Sequence, residues 1–196
     1  MRVSTLGYAL LGFLAARKLT GYDLARLLRE PLGFFWTARH SQIYPELESL
    51  RRQGLVRFQV IVQPTRPDKK LYTITRAGRA ALRKWVTEPV KSPVQRDEEL
   101  LKTFSIQLGN PEEAAALYAD QLHIHRDLLH RHRRLAASLE HLHGKTLLDP
   151  RSPQFGNYAT LRRGIGYERE KVAWYRWILA RLSAPKVRTR ETRSYV

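Results

Sequence analysis

Between Glu112 and about His143 the chain runs without a glycine or proline, while Leu117, Ile124, Leu128, Leu135, Leu139 and Leu142 return at near-heptad intervals. That spacing predicts one helix about 45–50 Å long, more than a small domain needs to cover itself. A second helix must lie against it. Its start is written in Asn110-Pro111-Glu112-Glu113, which supplies an N-cap, a proline at N1 and a carboxylate at N3. The segment from Gln154 to about Ser183 offers the covering helix, with Leu161, Ile165, Val172, Tyr175, Leu179 and Leu182 on one side. A shorter helix, with Leu100, Phe104 and Leu108 on its face, begins behind Asp97-Glu98-Glu99, whose charges suit a helix start.

Upstream the pattern changes. Leu6, Leu10, Phe13 and Leu14 mark a first helix, and Thr20-Gly21-Tyr22-Asp23 has the capping-box form that opens a second, carrying Leu24, Leu27 and Leu28 and ending at Pro31-Leu32-Gly33. After an aromatic loop, Ser41 offers a cap for a third helix over about 42–53, with Ile43, Leu47 and Leu50 on its face and Gly54 beyond its end. Val56, Phe58, Val60 and Val62 then alternate with their neighbours, as does the Lys70 to Ile74 run, so an antiparallel hairpin with a basic tip is expected. Thr75 caps a fourth helix that stops before Pro89. The prolines at 89 and 93 mark the boundary: 1–88 one domain, 89–95 a linker, 96–184 a helical domain and 185–196 a basic flexible tail.

Charge sharpens this division. The chain has a formal net charge of +17, with 16 basic and 6 acidic residues in 1–90 against 15 and 11 in 91–184. A polyanion-binding module joined to a less charged partner would have that asymmetry. With no cysteine, disulfides, thiolate metal sites and cysteine nucleophiles are excluded. No stretch reaches the ~18 apolar residues of a membrane span, so no membrane role is expected, and the cytoplasm is the expected compartment.

Catalytic patterns fail on inspection. Gly144-Lys145-Thr146 lacks the earlier glycine of a phosphate-binding loop, and Gly164-Ile165-Gly166 has neither a third glycine nor a preceding strand. His123, His125, His130, His132, His141 and His143 are spaced so that same-face pairs stand about 10 Å apart, too far for one metal ion. They are expected to be solvent or interface residues. No enzyme, cofactor or metal is expected.

Three helices, a two-stranded wing and a linking helix within ninety basic residues is the order of a winged helix-turn-helix. The runs Leu6-Gly7-Tyr8-Ala9-Leu10-Leu11-Gly12, Thr20-Gly21-Tyr22-Asp23-Leu24, Ser41-Gln42-Ile43-Tyr44-Pro45-Glu46-Leu47, Gly54-Leu55-Val56 and Tyr72-Thr73-Ile74-Thr75-Arg76-Ala77-Gly78 resemble the signature of the PadR family of transcriptional regulators. The second half resembles the helical dimerisation domain of its larger members. The resemblance implies a mainly α protein that binds double-stranded DNA as a homodimer over an inverted repeat, more often a repressor, and is released by a ligand or protein partner. A small aromatic or hydrophobic effector fits the aromatic content of the last helix.

Recognition-helix geometry places Ser41, Gln42 and Tyr44 at base edges, with Gln42 suited to bidentate pairing with adenine. Arg39 and His40 flank that entrance, Tyr22 is expected on a phosphate, and Arg66, Lys69 and Lys70 belong to the wing. Tyr44 has a second reading, packing against Leu47 and the wing. Trp85, Trp174, Tyr175 and Trp177 either line an effector pocket or build the dimer interface, and the aromatic enrichment of interfaces favours the latter. Two other classes remain: a sequence-indifferent architectural DNA binder, and a winged-helix adaptor for other proteins.

Overall fold

The computed structural model describes residues 3–29, 40–64, 68–90 and 97–184. They fall into two compact units, Met1–Pro93 and Val94–Val196. The first holds α1 (Thr5–Ala16), β1 (Leu19–Thr20), α2 (Gly21–Arg29), α3 (His40–Arg52), β2 (Val56–Ile61), β3 (Lys69–Ile74) and α4 (Arg76–Trp85). The second is all helical: α5 (Glu98–Phe104), α6 (Pro111–His143) and α7 (Pro153–Leu182), with short 3-10 turns at Ile106–Leu108 and Gly144–Leu148.

In the first unit, local side chains set the starts of α1 and α4. Ser4 accepts from the Gly7 amide to open α1, and Thr75 accepts from Gly78 to open α4. The Thr75 hydroxyl also donates to the Gly54 carbonyl at 2.7 Å, tying α4 to the turn after α3, where Gly54 takes the left-handed φ of 70° that favours glycine. Helix α3 already includes His40 and Ser41, so Ser41 lies inside its first turn instead of capping it. The core joins Leu10, Leu11 and Leu14 of α1, Leu24 and Leu28 of α2, and Ile43, Leu47 and Leu50 of α3 to the base of the wing at Val56, Tyr72 and Ile74.

The wing is part of a three-stranded antiparallel sheet in the order β1-β3-β2. Val56 pairs with Ile74 at the base and Ile61 with Lys69 near the tip, while Leu19 and Thr20 of β1 pair with Tyr72 and Leu71. Sequence spacing foresees only two strands, because a two-residue strand is too short to show a period. Alternation along β2 also misleads about burial: Val56 is buried, yet Val60 is exposed because the hairpin extends past the core.

In the second unit Tyr118 meets Tyr175, His125 meets Glu168 and Glu140 meets Tyr158, so α6 and α7 run antiparallel. Asn110 caps α6 by accepting from the Glu112 and Glu113 amides. The face of α6 turned to α7 buries Tyr118, Leu129 and Ala136. The stripe Leu117, Ile124, Leu135 and Leu142 stays exposed.

Glycine substitutions separate packing from propensity. A Cβ on Gly78 would lie 2.2 Å from the Leu55 carbonyl oxygen, whereas one on Gly12, in the middle of α1, meets nothing within 4 Å. Urea unfolding is therefore expected to show Gly78→Ala destabilised by about 1–3 kcal/mol and Gly12→Ala stabilised by about 0.5–1 kcal/mol.

Candidate nucleic-acid interface

The start of α2 is held by a reciprocal cap. The Thr20 amide and hydroxyl donate to Asp23 Oδ2 at 3.1 and 2.6 Å, and the Asp23 amide donates back to Thr20 Oγ1 at 3.2 Å. The Thr20 hydroxyl bond, more than the flanking Arg26 and Arg17 charges, keeps the Asp23 carboxyl below its ordinary pKa. Between the two capping residues stands Gly21. A Cβ there would fall 2.6 Å from Tyr44 Cε1, so the bare backbone is what lets the α3 tyrosine lie across the first turn of α2. The contact with α2 is one that the sequence reading of Tyr44 did not include.

Around that contact lies a groove of about 660 Å³, lined by Gly21, Tyr22 and Asp23 of α2, Tyr44 and Glu48 of α3, and Lys69, Lys70 and Tyr72 of the wing. Tyr22 is 66% exposed and Tyr44 47%, unusual for aromatic rings with a core beside them. The Lys70 ammonium stands 4.7 Å from the centre of the Phe58 ring, a cation–π contact that holds its chain along the wing. Glu48 also faces the groove, but both its oxygens take the Arg51 fork, at 2.7 and 2.9 Å. That hydrogen bond lowers the Glu48 pKa and ties its charge to a cation. Burial, then the Glu48 charge, raises the Tyr72 phenol, which stays protonated.

Of the residues expected to read DNA, Tyr22, Tyr44, Lys69 and Lys70 share this one groove, and Ser41 and Gln42 are exposed on the first turn of α3. His40 begins α3, though its side chain lies outside the described residues, as do Arg39 and Arg66. The four aromatic residues expected at an effector site or interface divide between the two units. Trp85 stacks on Tyr8 in the first unit, at 4.5 Å between ring centres. Trp174 and Tyr175 pack together in the second, while Trp177 is 58% exposed.

The second unit has its own polar cavity, about 430 Å³, lined by Tyr118, His125, Tyr167, Lys171, Tyr175 and the acidic start of α5. Lys171 Nζ and the Tyr175 hydroxyl both donate to Glu99, and the ammonium lies within 5.9 Å of the Tyr167, Trp174 and Tyr175 ring centres. Burial is the largest single influence on Lys171 and opposes its charge, but the bond to Glu99 and the charges of Glu99 and its neighbours together outweigh it and raise the pKa; burial and the same carboxylate push the Tyr175 phenol far up. His125 Nδ1 is 2.5 Å from the buried Glu168 carboxylate. The histidines of α6 are therefore not all solvent residues: a carboxylate 43 positions away reaches one of them, beyond what local spacing reveals.

A family model described as the transcriptional regulator PadR-like family matches residues 10–84, and one described as virulence activator alpha C-term matches 95–183. The chain is 38% identical to the negative transcriptional regulator PadR of Bacillus subtilis, over 92% of its own length and 97% of the relative's. It belongs to the PadR-like family of transcriptional regulators. The crystal structure of B. subtilis PadR in complex with operator DNA matches with a TM-score of 0.78 at 36% identity, covering 91% of this chain and 99% of that one. Its complex with p-coumaric acid matches with a TM-score of 0.72 at 35% identity, over 93% and 100%. The winged helix-turn-helix with a helical second half, read from the sequence, is thus the fold of this family. Among the described residues no helix is long and apolar enough to cross a membrane.

Gly21 is the residue that sequence reasoning passed over; its only signal was a glycine within a helix's first turn, where a cap had already been supplied. Thr20→Val is expected to cost about 1 kcal/mol at pH 7. Because the Asp23 pKa is depressed in the folded state, the part of that stabilisation carried by the Asp23 carboxylate is complete above the unfolded value of about 3.9 and is lost as pH falls through the folded value, while the bond from the Asp23 amide to Thr20 Oγ1 persists. The gap between the wild-type and variant unfolding curves should therefore narrow in acid without closing.

Proposed function

We propose that the protein represses transcription by binding an inverted-repeat operator as a homodimer, with α3 in the major groove and the wing on the flanking backbone. The observation that carries this reading is the convergence of Tyr22, Tyr44, Lys69 and Lys70 on one groove beside the exposed Ser41 and Gln42. In this reading Gln42 takes an adenine edge, Ser41 and Tyr44 contact bases or phosphates, and Tyr22 and the wing lysines take phosphates. Arg39, His40 and Arg66 join them from the flanking segments. The protein acts by binding alone, without catalysis, in the cytoplasm where the chromosome lies. The domains divide its work: 1–88 reads DNA, 89–95 links, 96–184 pairs two copies, and 185–196 adds a basic tail.

Pairing is supported by the exposed Leu117, Ile124, Leu135 and Leu142 stripe, which α7 leaves uncovered. Two copies joined there would present their recognition helices to half-sites about 34–36 Å apart. Selection of random duplexes at about physiological salt should enrich such a repeat. Gln42→Ala should lose about 1–3 kcal/mol of preference at one base pair, while Lys69→Ala should weaken all sequences alike and flatten the salt dependence. Uniform loss in both variants would contradict base reading by Gln42, and tight binding without enrichment would favour the architectural binder.

B. subtilis PadR has been crystallised with p-coumaric acid. For this chain the Lys171 cavity, with its rings and a cation, suits a small aromatic acid whose carboxylate replaces Glu99 on Lys171. With p-coumaric acid as the probe, operator release is expected, and Lys171→Met should require roughly tenfold more ligand, the equivalent of about 1.4 kcal/mol. Equal response of the two proteins would contradict this seat.

A further inference from the structure

On the side of α6 away from the leucine stripe, the α6/α7 pair carries a different surface. Arg126 and Arg133 lie about 180–200° around the helix from Ile124, at 100° per residue. Two adjoining hollows there, of about 280 and 340 Å³, share Arg133 and Arg169. Between them they are lined by five exposed arginines: Arg126 and Arg133 from α6, and Arg162, Arg169 and Arg176 from α7. The seven-residue steps, 126 to 133 on one helix and 162 to 169 to 176 on the other, stack them in rungs about 10.5 Å apart.

This unit pairs its cations elsewhere: Lys102 with Glu98, Arg151 with Asp149 and Lys171 with Glu99. The side chains of Arg126, Arg133, Arg169 and Arg176 make no ion pair or hydrogen bond among the described residues. The one carboxylate in the groove is Glu140, already taken by the Tyr158 hydroxyl at 2.5 Å, and Arg162 donates to the same hydroxyl at 3.3 Å. Gathering four unpaired guanidinium groups costs self-repulsion, which a bound anion relieves. Their planar forks suit phosphate oxygens, which they bind bidentately. The floor, Leu129, Val172 and Ala173, is apolar, and the larger hollow falls within the volume range of small-molecule sites, about 300–1,000 Å³.

We propose that this groove binds a small polyphosphate, seated on Arg126, Arg133, Arg169 and Arg176. A compact ligand fits better than a continuous backbone because the Glu140 carboxylate stands at one end and repels phosphate there. The same four charges oppose self-association through this face, so pairing along the leucine stripe leaves the groove open.

Calorimetric titration of the full chain with inorganic triphosphate at about 0.15 M salt tests the site. Saturable binding of one triphosphate per protomer is expected, with orthophosphate weaker by at least roughly tenfold. Arg133→Gln combined with Arg169→Gln should weaken triphosphate by a similar factor while circular dichroism shows an unchanged melt, since both side chains are exposed. Lys69→Gln combined with Lys70→Gln should leave it unchanged. Equal binding by the wild type and the groove variant, loss in the wing variant, or no saturable binding would each overturn the proposal. So would displacement of triphosphate from the wing variant by operator-free duplex, which would make the nucleic-acid backbone the source of the phosphates.

Discussion

Helix α6 carries two apolar faces, and among the described residues of its own unit only one is covered. The face with Tyr118, Leu129 and Ala136 is buried against α7, but the stripe of Leu117, Ile124, Leu135 and Leu142 is left in water. At about 25 cal/mol per Å² of apolar surface, four large aliphatic side chains held in solvent are a standing drive toward association. A 33-residue helix is longer than its own unit needs, and the excess length becomes useful when a second copy lies along it. Dimerisation on this stripe would hold two winged domains at a fixed spacing, which a single winged helix cannot do for itself. Affinity and specificity for a repeat would then both depend on an apolar contact remote from the DNA.

The winged unit solves a different problem, that of holding polar groups still at an exposed surface. It does so by small steric and capping devices. Thr20 and Asp23 fix the first turn of α2, Gly21 makes room for the Tyr44 ring, and Lys70 is steadied over Phe58. Each restrains a side chain that would otherwise lose conformational freedom only on binding, so part of that entropic cost is met during folding. The second unit contrasts with this, closing its inner polar side chains in pairs, His125 with Glu168 and Lys171 with Glu99, where removing one member strands the other.

How much of this was legible in the sequence depended on distance along the chain. The caps at Thr20, Thr75 and Asn110 could be read because donor and acceptor are two or three residues apart. The long helices could be read because periodicity accumulates over many turns. By contrast, β1 is two residues long and declares itself only through pairing with β3, more than fifty positions later. The Gly21–Tyr44 contact, the reach of Glu168 to His125 and the bond from Tyr175 to Glu99 are likewise encounters between distant segments. The residues proposed to face DNA were named through family resemblance and recognition-helix geometry, and four of them, Tyr22, Tyr44, Lys69 and Lys70, line one groove. The tryptophans divide between the units: Trp85 stacks on Tyr8 in the first, and Trp174 packs edge-on to Tyr118 in the second.

In the proposed function the exposed stripe of α6 joins two copies of the regulator and thereby lets it read a repeat. Light scattering on the full chain and on Ile124→Glu with Leu135→Glu, alongside operator titrations of both, separates pairing from DNA contact. A wild-type dimer is expected, with a folded monomeric variant whose operator affinity drops to the level of a single half-site. A variant that stays dimeric, or a monomer that binds the full repeat as tightly as the wild type, would overturn this reading.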